Sequence, residues 1–245
     1  MIVSEKPARG EETSFKVVFD PNIEPCYNAI RQGVPKDSLA VVVAGMNRAS
    51  IWRTKEISHN VSLGSSTSKE FYLAAELKGH RGLVRDVAWA PGSIRGFDIV
   101  ATACKDGFVR VFQVTTPAKG GKQPRSKDYA KTPEHVVVAA HRASENGARN
   151  TPSGIGAGLA GARSSATGSG SRQQEADGKQ GEIFHVAKEV SRLENRTPVW
   201  TVDFDDDGQL LGSTGDDGKL MLWRREPSGV WSKSAELALN RSSTK

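Results

Sequence analysis

Ala101-Thr102-Ala103-Cys104-Lys105-Asp106-Gly107-Phe108-Val109-Arg110-Val111-Phe112 and Gly212-Ser213-Thr214-Gly215-Asp216-Asp217-Gly218-Lys219-Leu220-Met221-Leu222-Trp223 align residue for residue. Each carries a strand-like run, an Asp-Gly turn and a second run ending in an aromatic, the pattern of a tight β-hairpin. Upstream, Val84-Arg85-Asp86-Val87-Ala88-Trp89-Ala90-Pro91 aligns with Val199-Trp200-Thr201-Val202-Asp203-Phe204-Asp205-Asp206. Phe15-Lys16-Val17-Val18-Phe19-Asp20-Pro21 repeats the same alternation, and its group ends in Ile51-Trp52 without the Asp-Gly turn. This self-similarity makes the chain an array of related β units.

Reading outward from the repeats, twelve short runs alternate with turn signals, and none shows the 3.6-residue period of a helix. They are Phe15–Phe19, Leu39–Ala44, Ala49–Arg53, Phe71–Leu77; Val84–Trp89, Ile99–Cys104, Val109–Val114, Ile183–Val190; and Val199–Phe204, Gln209–Ser213, Leu220–Trp223, Val230–Leu237. The fold class is all-β, with three four-stranded units and a helical bundle excluded. The units are expected over residues 14–78, 79–114 with 182–190, and 195–238, flanked by tails 1–13 and 239–245.

Residues 115–181 break the pattern. They hold 11 of the 25 glycines and a single aromatic, Tyr129, too little apolar material to offset the entropy of ordering. A long disordered insertion is expected there, with Glu134–Ala140 as one strand-like run able to pair with a neighbouring sheet. No GxGxxG follows a strand in dinucleotide-binding context, so these glycines read as linker. The insertion carries +5 of the chain's formal +6. Segments 14–114 and 182–238 carry +4 and −4 and cancel, so the basic balance is a weak pointer to nucleic acid. The insertion's Lys and Arg are dispersed and not interleaved with aromatics, which also disfavours a nucleic-acid binder.

Cys26 and Cys104 form no CxxC or Cys/His cluster, which excludes a disulfide framework and gives no zinc site. No apolar run approaches the roughly 20 residues of a membrane span, and Met1–Lys6 lacks the apolar stretch of a secretory signal. A soluble intracellular protein is the expectation.

In the middle repeat, Gly79-His80 precedes the first strand, Thr102 stands four residues before Asp106, and Phe112 follows six residues after it. The last repeat has Asn195 in the histidine position, then Ser213, Asp217 and Trp223 at the same spacing. This spacing resembles the WD-repeat β-propeller pattern. The resemblance implies that His80, Thr102, Asp106, Ser213, Asp217 and Trp223 are structural network residues, with the turn Asp and the loop His supporting one another. On that reading Asp217→Ala costs about 1–3 kcal/mol. A hydrolase relay of His80, Asp106 and a hydroxyl is disfavoured because the group recurs in degraded form in each repeat. The cluster Asp203, Asp205, Asp206, Asp207 lacks the 12-residue calcium loop and reads as a turn. No catalytic residue, cofactor or metal is expected.

Cys26–Arg31, Val84–Pro91, Ile99–Ala103 with Asp106–Phe112, and Ser213–Gly218 with Leu222-Trp223 further resemble the WD-repeat nucleoporin SEH family in a fungal-type form, over its fourth to sixth blades. The sister propeller shared by vesicle and pore coats, or another WD-repeat adaptor, is the alternative. The resemblance implies a six-bladed, open propeller completed by a blade donated from a helical-solenoid nucleoporin. The chain is accordingly expected to be a piece or shortened gene model lacking its N-terminal half. It further implies a non-catalytic scaffold subunit of the Y-shaped nuclear pore coat, serving pore assembly, mRNA export and protein transport. Members of that family also join a vacuole- or lysosome-associated complex that regulates nutrient signalling through TORC1.

Overall fold

A computed structural model describes residues 7–61, 64–92, 96–118 and 181–238. The strands are β1 Phe15–Phe19, β2 Ala40–Gly45, β3 Arg48–Val61, β4 Gly64–Leu77, β5 Val84–Trp89, β6 Asp98–Cys104, β7 Phe108–Thr115, β8 Val186–Glu194, β9 Val199–Phe204, β10 Leu210–Gly215, β11 Lys219–Arg225 and β12 Trp231–Ala238. One short helix, α1 Tyr27–Arg31, lies between β1 and β2. The strands form three antiparallel four-stranded sheets in chain order, β1 to β4, β5 to β8 and β9 to β12. The three-unit, all-β reading therefore holds.

Register makes the repeat physical. Val42 pairs with Ile51, Ala101 with Val111, and Gly212 with Leu222, so these pairs occupy one equivalent place in the three sheets. Because side chains alternate across a strand, each sheet has two unlike faces. One face carries an aromatic near the end of the first strand (Phe19, Trp89, Phe204) and a second on the third strand (Trp52, Phe112, Trp223). The other face carries small or branched aliphatics, such as Ala40, Val42, Ala44, Ala49, Ile51 and Leu77 in the first sheet.

These faces meet in one order. The aliphatic face of the first sheet packs on Val87, Trp89, Val100, Phe112 and Val114 of the second. Ala101, Ala103, Val109, Val111 and Leu193, on the second sheet's aliphatic face, pack on Val202, Leu211, Met221 and Trp223 of the third. Strand β6 is buried along its whole length because it is covered on both sides.

Charged groups caught between the sheets find partners across the interfaces. Arg53 donates to Asp98 at 3.2 Å across the first interface with both side chains buried. The Asp86 carboxylate lies 3.1 Å from Lys16 Nζ of the first sheet and accepts the Val202 N–H of the third at 3.1 Å. The Arg53–Asp98 pair is expensive to break from one side, because the abandoned charge stays dry.

Three strands depart most from the expected runs. β3 and β4 continue well beyond Ala49–Arg53 and Phe71–Leu77 as a two-stranded ribbon, paired out to Val61 and Gly64. Its base is fixed by Leu39 N–H on Thr54 Oγ1, Lys69 on Asp37 and Lys55 on Glu182. The expected run Ile183–Val190 is instead a strand over Val186–Glu194, since residues 183–185 anchor to the neighbouring sheet. Tyr72 Oη donates to Ile183 O and accepts its N–H, while His185 N–H donates to Ala74 O.

Most of the expected insertion, including Glu134–Ala140, lies outside the described residues; Thr115 closes β7. Its approach and return are tied where Thr115 Oγ1 donates to Val186 O at 3.4 Å and where Thr116 Oγ1 and His185 Nδ1 stand 2.8 Å apart. Cys26 and Cys104 are free thiols, both buried.

Arg53→Ala is expected to lower stability by about 3–5 kcal/mol in urea denaturation, and the double variant Arg53→Met/Asp98→Leu to recover most of it. A double variant as unstable as the single one would show that the pair's charges are required.

Candidate functional site

The second sheet brings His80, Thr102 and Asp106 to one corner but divides them between two hydrogen-bonded groups. His80 Nε2 lies 2.9 Å from the fully buried Thr102 Oγ1, and its ring leans on Phe112 at 6.0 Å. Asp106 bonds elsewhere. Its carboxylate accepts the Arg81 and Phe108 N–H groups at 3.1 and 3.2 Å and both terminal nitrogens of Arg110 at 3.1 and 2.7 Å.

The expected mutual support of His80 and Asp106 is thus replaced by an Arg110–Asp106 pair, a stronger, bidentate acceptor arrangement. Arg110 is buried and also lies 3.5 Å from Glu189 of β8. Gly79 makes room for this packing. Its φ of +108° would strain a residue with a side chain, and a Cβ there would crowd Glu189 Oε2 at 3.2 Å and touch Arg110 Nε at 3.5 Å.

The electrostatics follow from burial. Desolvation, reinforced by the Arg110 cation, pushes the His80 imidazole down to about 4, so it is neutral at pH 7. Burial raises Asp106, but the Arg110 guanidinium and the Arg81 N–H outweigh it and hold the carboxyl at about 2. Neither group resembles a catalytic base. The hydroxyl is sealed, the imidazole, at about 4, is too weakly basic to hold a proton at pH 7, and the carboxylate is committed to an arginine.

In the third sheet Trp223 Nε1 donates to Ser213 Oγ at 3.0 Å, and Ser213 Oγ to Asn195 Oδ1 at 3.4 Å, all three residues being buried. Asp217 stands apart on the exposed hairpin turn, where it accepts the Lys219 N–H at 3.2 Å. Register explains the separation. Thr102 pairs with Arg110 and Ser213 with Met221, so the place of the arginine is taken by a thioether and Asp217 is left with the exposed Lys219.

The adjacent Asp216 takes a structural part instead. It accepts Trp200 Nε1 and lies 3.7 Å from Arg85, whose guanidinium stacks 3.7 Å over the Trp200 ring. In the first sheet Trp52 Nε1 turns to Ser50 Oγ at 2.9 Å, because Val43 occupies the hydroxyl position. Of the acidic cluster, Asp205 accepts the Gln209 and Leu210 N–H groups at 2.8 and 2.9 Å, building a turn.

Arg110, Glu189 and the Arg85–Trp200–Asp216 group were not singled out from sequence. Arg110 did leave a signal, as the lone charge inside Phe108-Val109-Arg110-Val111-Phe112.

Two consequences are measurable. Asp106→Ala abandons a buried arginine and is expected to cost about 3–5 kcal/mol, whereas exposed Asp217→Ala is expected to stay within about 0.5 kcal/mol, both read from denaturant midpoints. Since the folded His80 pKa lies below the unfolded value, the unfolded chain takes up the proton first as pH falls. Stability linked to His80 is therefore intact above pH 6.5 and lost between 6.5 and about 4. NMR titration of the ring should give a midpoint near 4; a midpoint above 6 would contradict the buried placement.

Residues 71–113 and 187–224 match the family profile of the WD domain, G-beta repeat. The chain is 44% identical over 273 residues to nucleoporin SEH1 of Chaetomium thermophilum, a match covering 94% of the chain and 50% of that relative. It is 28% identical over 158 residues to nucleoporin SEH1 of Saccharomyces cerevisiae, covering 63% of the chain and 38% of the relative. With nucleoporin seh1 of Schizosaccharomyces pombe the identity is 34% over 110 residues, 45% of the chain and 26% of the relative. The chain spans half the length of the first of these relatives and less of the other two. Its aligned repeats, its stacked four-stranded sheets and this similarity along most of its length establish that the chain belongs to the SEH nucleoporin family of WD-repeat proteins.

Proposed function

We propose that the chain acts as a non-catalytic scaffold piece of the Y-shaped outer-ring coat of the nuclear pore. Its six network residues, His80, Thr102, Asp106, Ser213, Asp217 and Trp223, then serve the framework, and the surfaces that matter are sheet faces. The observation that carries this reading is the aliphatic face of the third sheet, which no other described residues cover. Leu237 occupies the place that Leu77 and Leu193 hold in the other sheets, yet it is 54% exposed where they are 2% and 4%. Exposed apolar surface of this kind marks a contact site.

A helical-solenoid nucleoporin that donates a sheet would cover it, by lateral packing with strand addition. Localisation at the nuclear pore and nuclear envelope, support of mRNA export and protein transport, and membership of a vacuole-associated, TORC1-regulating complex belong to the same proposal. Apolar burial would dominate the contact, the folded part having little net charge to steer it.

The test is affinity purification of the tagged full-length protein with quantification of named coat subunits, comparing wild type, Leu237→Asp and a chain lacking residues 119–180. Outer-ring solenoid nucleoporins should be recovered with wild type and with the deletion, and be depleted at least tenfold with Leu237→Asp. Recovery of vesicle-coat solenoids instead would overturn the assignment. So would loss of association in the deletion accompanied by tight, salt-dependent RNA binding.

A further inference from the structure

Two aspartates of the second sheet pair with an arginine, and the donors around them differ. Asp106 accepts two N–H groups of Arg110 and the backbone N–H groups of Arg81 and Phe108, and is held at about 2. Asp98, the first residue of β6, takes a single N–H donor among the described residues, Arg53 Nη2 at 3.2 Å from its Oδ2. Its Oδ1 and the Nε and Nη1 of Arg53 meet no N–H or O–H partner among those residues, although both side chains are buried. A dry carboxylate with so few donors holds its charge poorly.

A second carboxylate draws on the same cation. Asp20, just after β1, feels Arg53 across the joint, and burial raises it despite the Asn22 backbone and side-chain N–H groups that it accepts at 3.0 and 2.8 Å. Two carboxylates thus share one guanidinium. The other neighbours leave that imbalance in place. The Cys26 thiol, pushed up to about 11 by burial and then by Asp98, stays protonated and is a weak donor. Burial, reinforced by Arg53, drives His185 down to about 3 and keeps it neutral, and burial raises Tyr72, beside the Lys55–Glu182 pair. On the third-sheet side Arg225 and Asp207 line a cavity with Asp98.

We propose that the joint between the first and second sheets is proton-responsive: in mildly acidic solution Asp98 takes up one proton from solvent, the Arg53–Asp98–Asp20 group becomes electrically neutral, and the joint tightens. This concerns the interior of the chain and does not rest on the coat reading. Linkage gives the direction. Burial outweighs the Arg53 cation and raises Asp98 from an ordinary 3.8 to about 6, so between those values the folded chain keeps a proton that the unfolded chain has released. Stability tied to Asp98 is therefore full below 3.8 and lost as pH rises to about 6, opposite in sense to that tied to His80.

Urea denaturation of the purified chain and of Asp98→Asn, at pH 7 and at pH 5, tests the proposal. The ratio of their unfolding constants removes the titrations common to both. The wild type is expected to gain about tenfold on the variant between pH 7 and pH 5. Carbon-13 NMR of the side-chain carboxyl groups should place the Asp98 midpoint near 6 in the wild type and lower it in Asp20→Asn. That shift reports a shared charge, which packing alone would not move, and it is read without the Asp98 variant should that variant fail to fold. A ratio that does not change with pH, an Asp98 midpoint in the ordinary carboxylate range, or a midpoint unmoved by Asp20→Asn would overturn the proposal, whatever the outcome of the coat purification.

Discussion

Everything in this molecule depends on an aromatic sheet face lying on an aliphatic one. A four-stranded sheet cannot bury two faces by itself, and the chain meets that need by stacking unlike faces in a fixed order. The second sheet is sealed on both sides for this reason, and its strand β6 carries no exposed position. The same constraint governs the charges. Asp86 sits where a carboxylate is costly, but it reaches Lys16 on one neighbour and the Val202 N–H on the other, so it joins three sheets instead of separating two. Arg53 and Asp98 match each other across the first interface in the same way.

The sheets were legible in the sequence because their signals are local. Alternation fixes which residues face inward, Asp-Gly fixes the hairpins, and β1, β5 and β9 fall where the runs predict. What was not legible depended on distant partners. Residues 183–185 look like strand, yet their hydrogen bonds go to Tyr72 and Ala74 more than a hundred residues earlier. The ribbon beyond Arg53 is polar and carries no hydrophobic alternation, and it is held at its base by Asp37, Thr54 and Glu182.

The network residues divide along the same line. Ser213 and Trp223 occupy directly paired strands, so spacing alone brings them together. Asp106 and Asp217 share a spacing but not a fate, because the side chain that captures a turn carboxylate is chosen by the facing strand. Arg110 does so in the second sheet, and Met221 cannot in the third. A motif read by its own positions misses a partner that lies outside it.

That substitution changes what the corner of the second sheet can respond to. An imidazole beside the turn carboxylate would tie the turn to a group that titrates near neutrality. Arg110 takes that place instead, and burial, reinforced by the Arg110 cation, keeps His80 neutral while its ring serves Thr102. The carboxyl, held at about 2, does not protonate either until far into acid. The corner is therefore fixed electrostatically as well as sterically, while the first sheet, with Val43 and the Trp52–Ser50 contact, dispenses with the network and still packs. The networks set the turns at the ends of the strands, but the faces hold the stack together. For a scaffold whose contacts are made through sheet faces, the turn networks can therefore differ from sheet to sheet, provided the alternation of aromatic and aliphatic faces is kept.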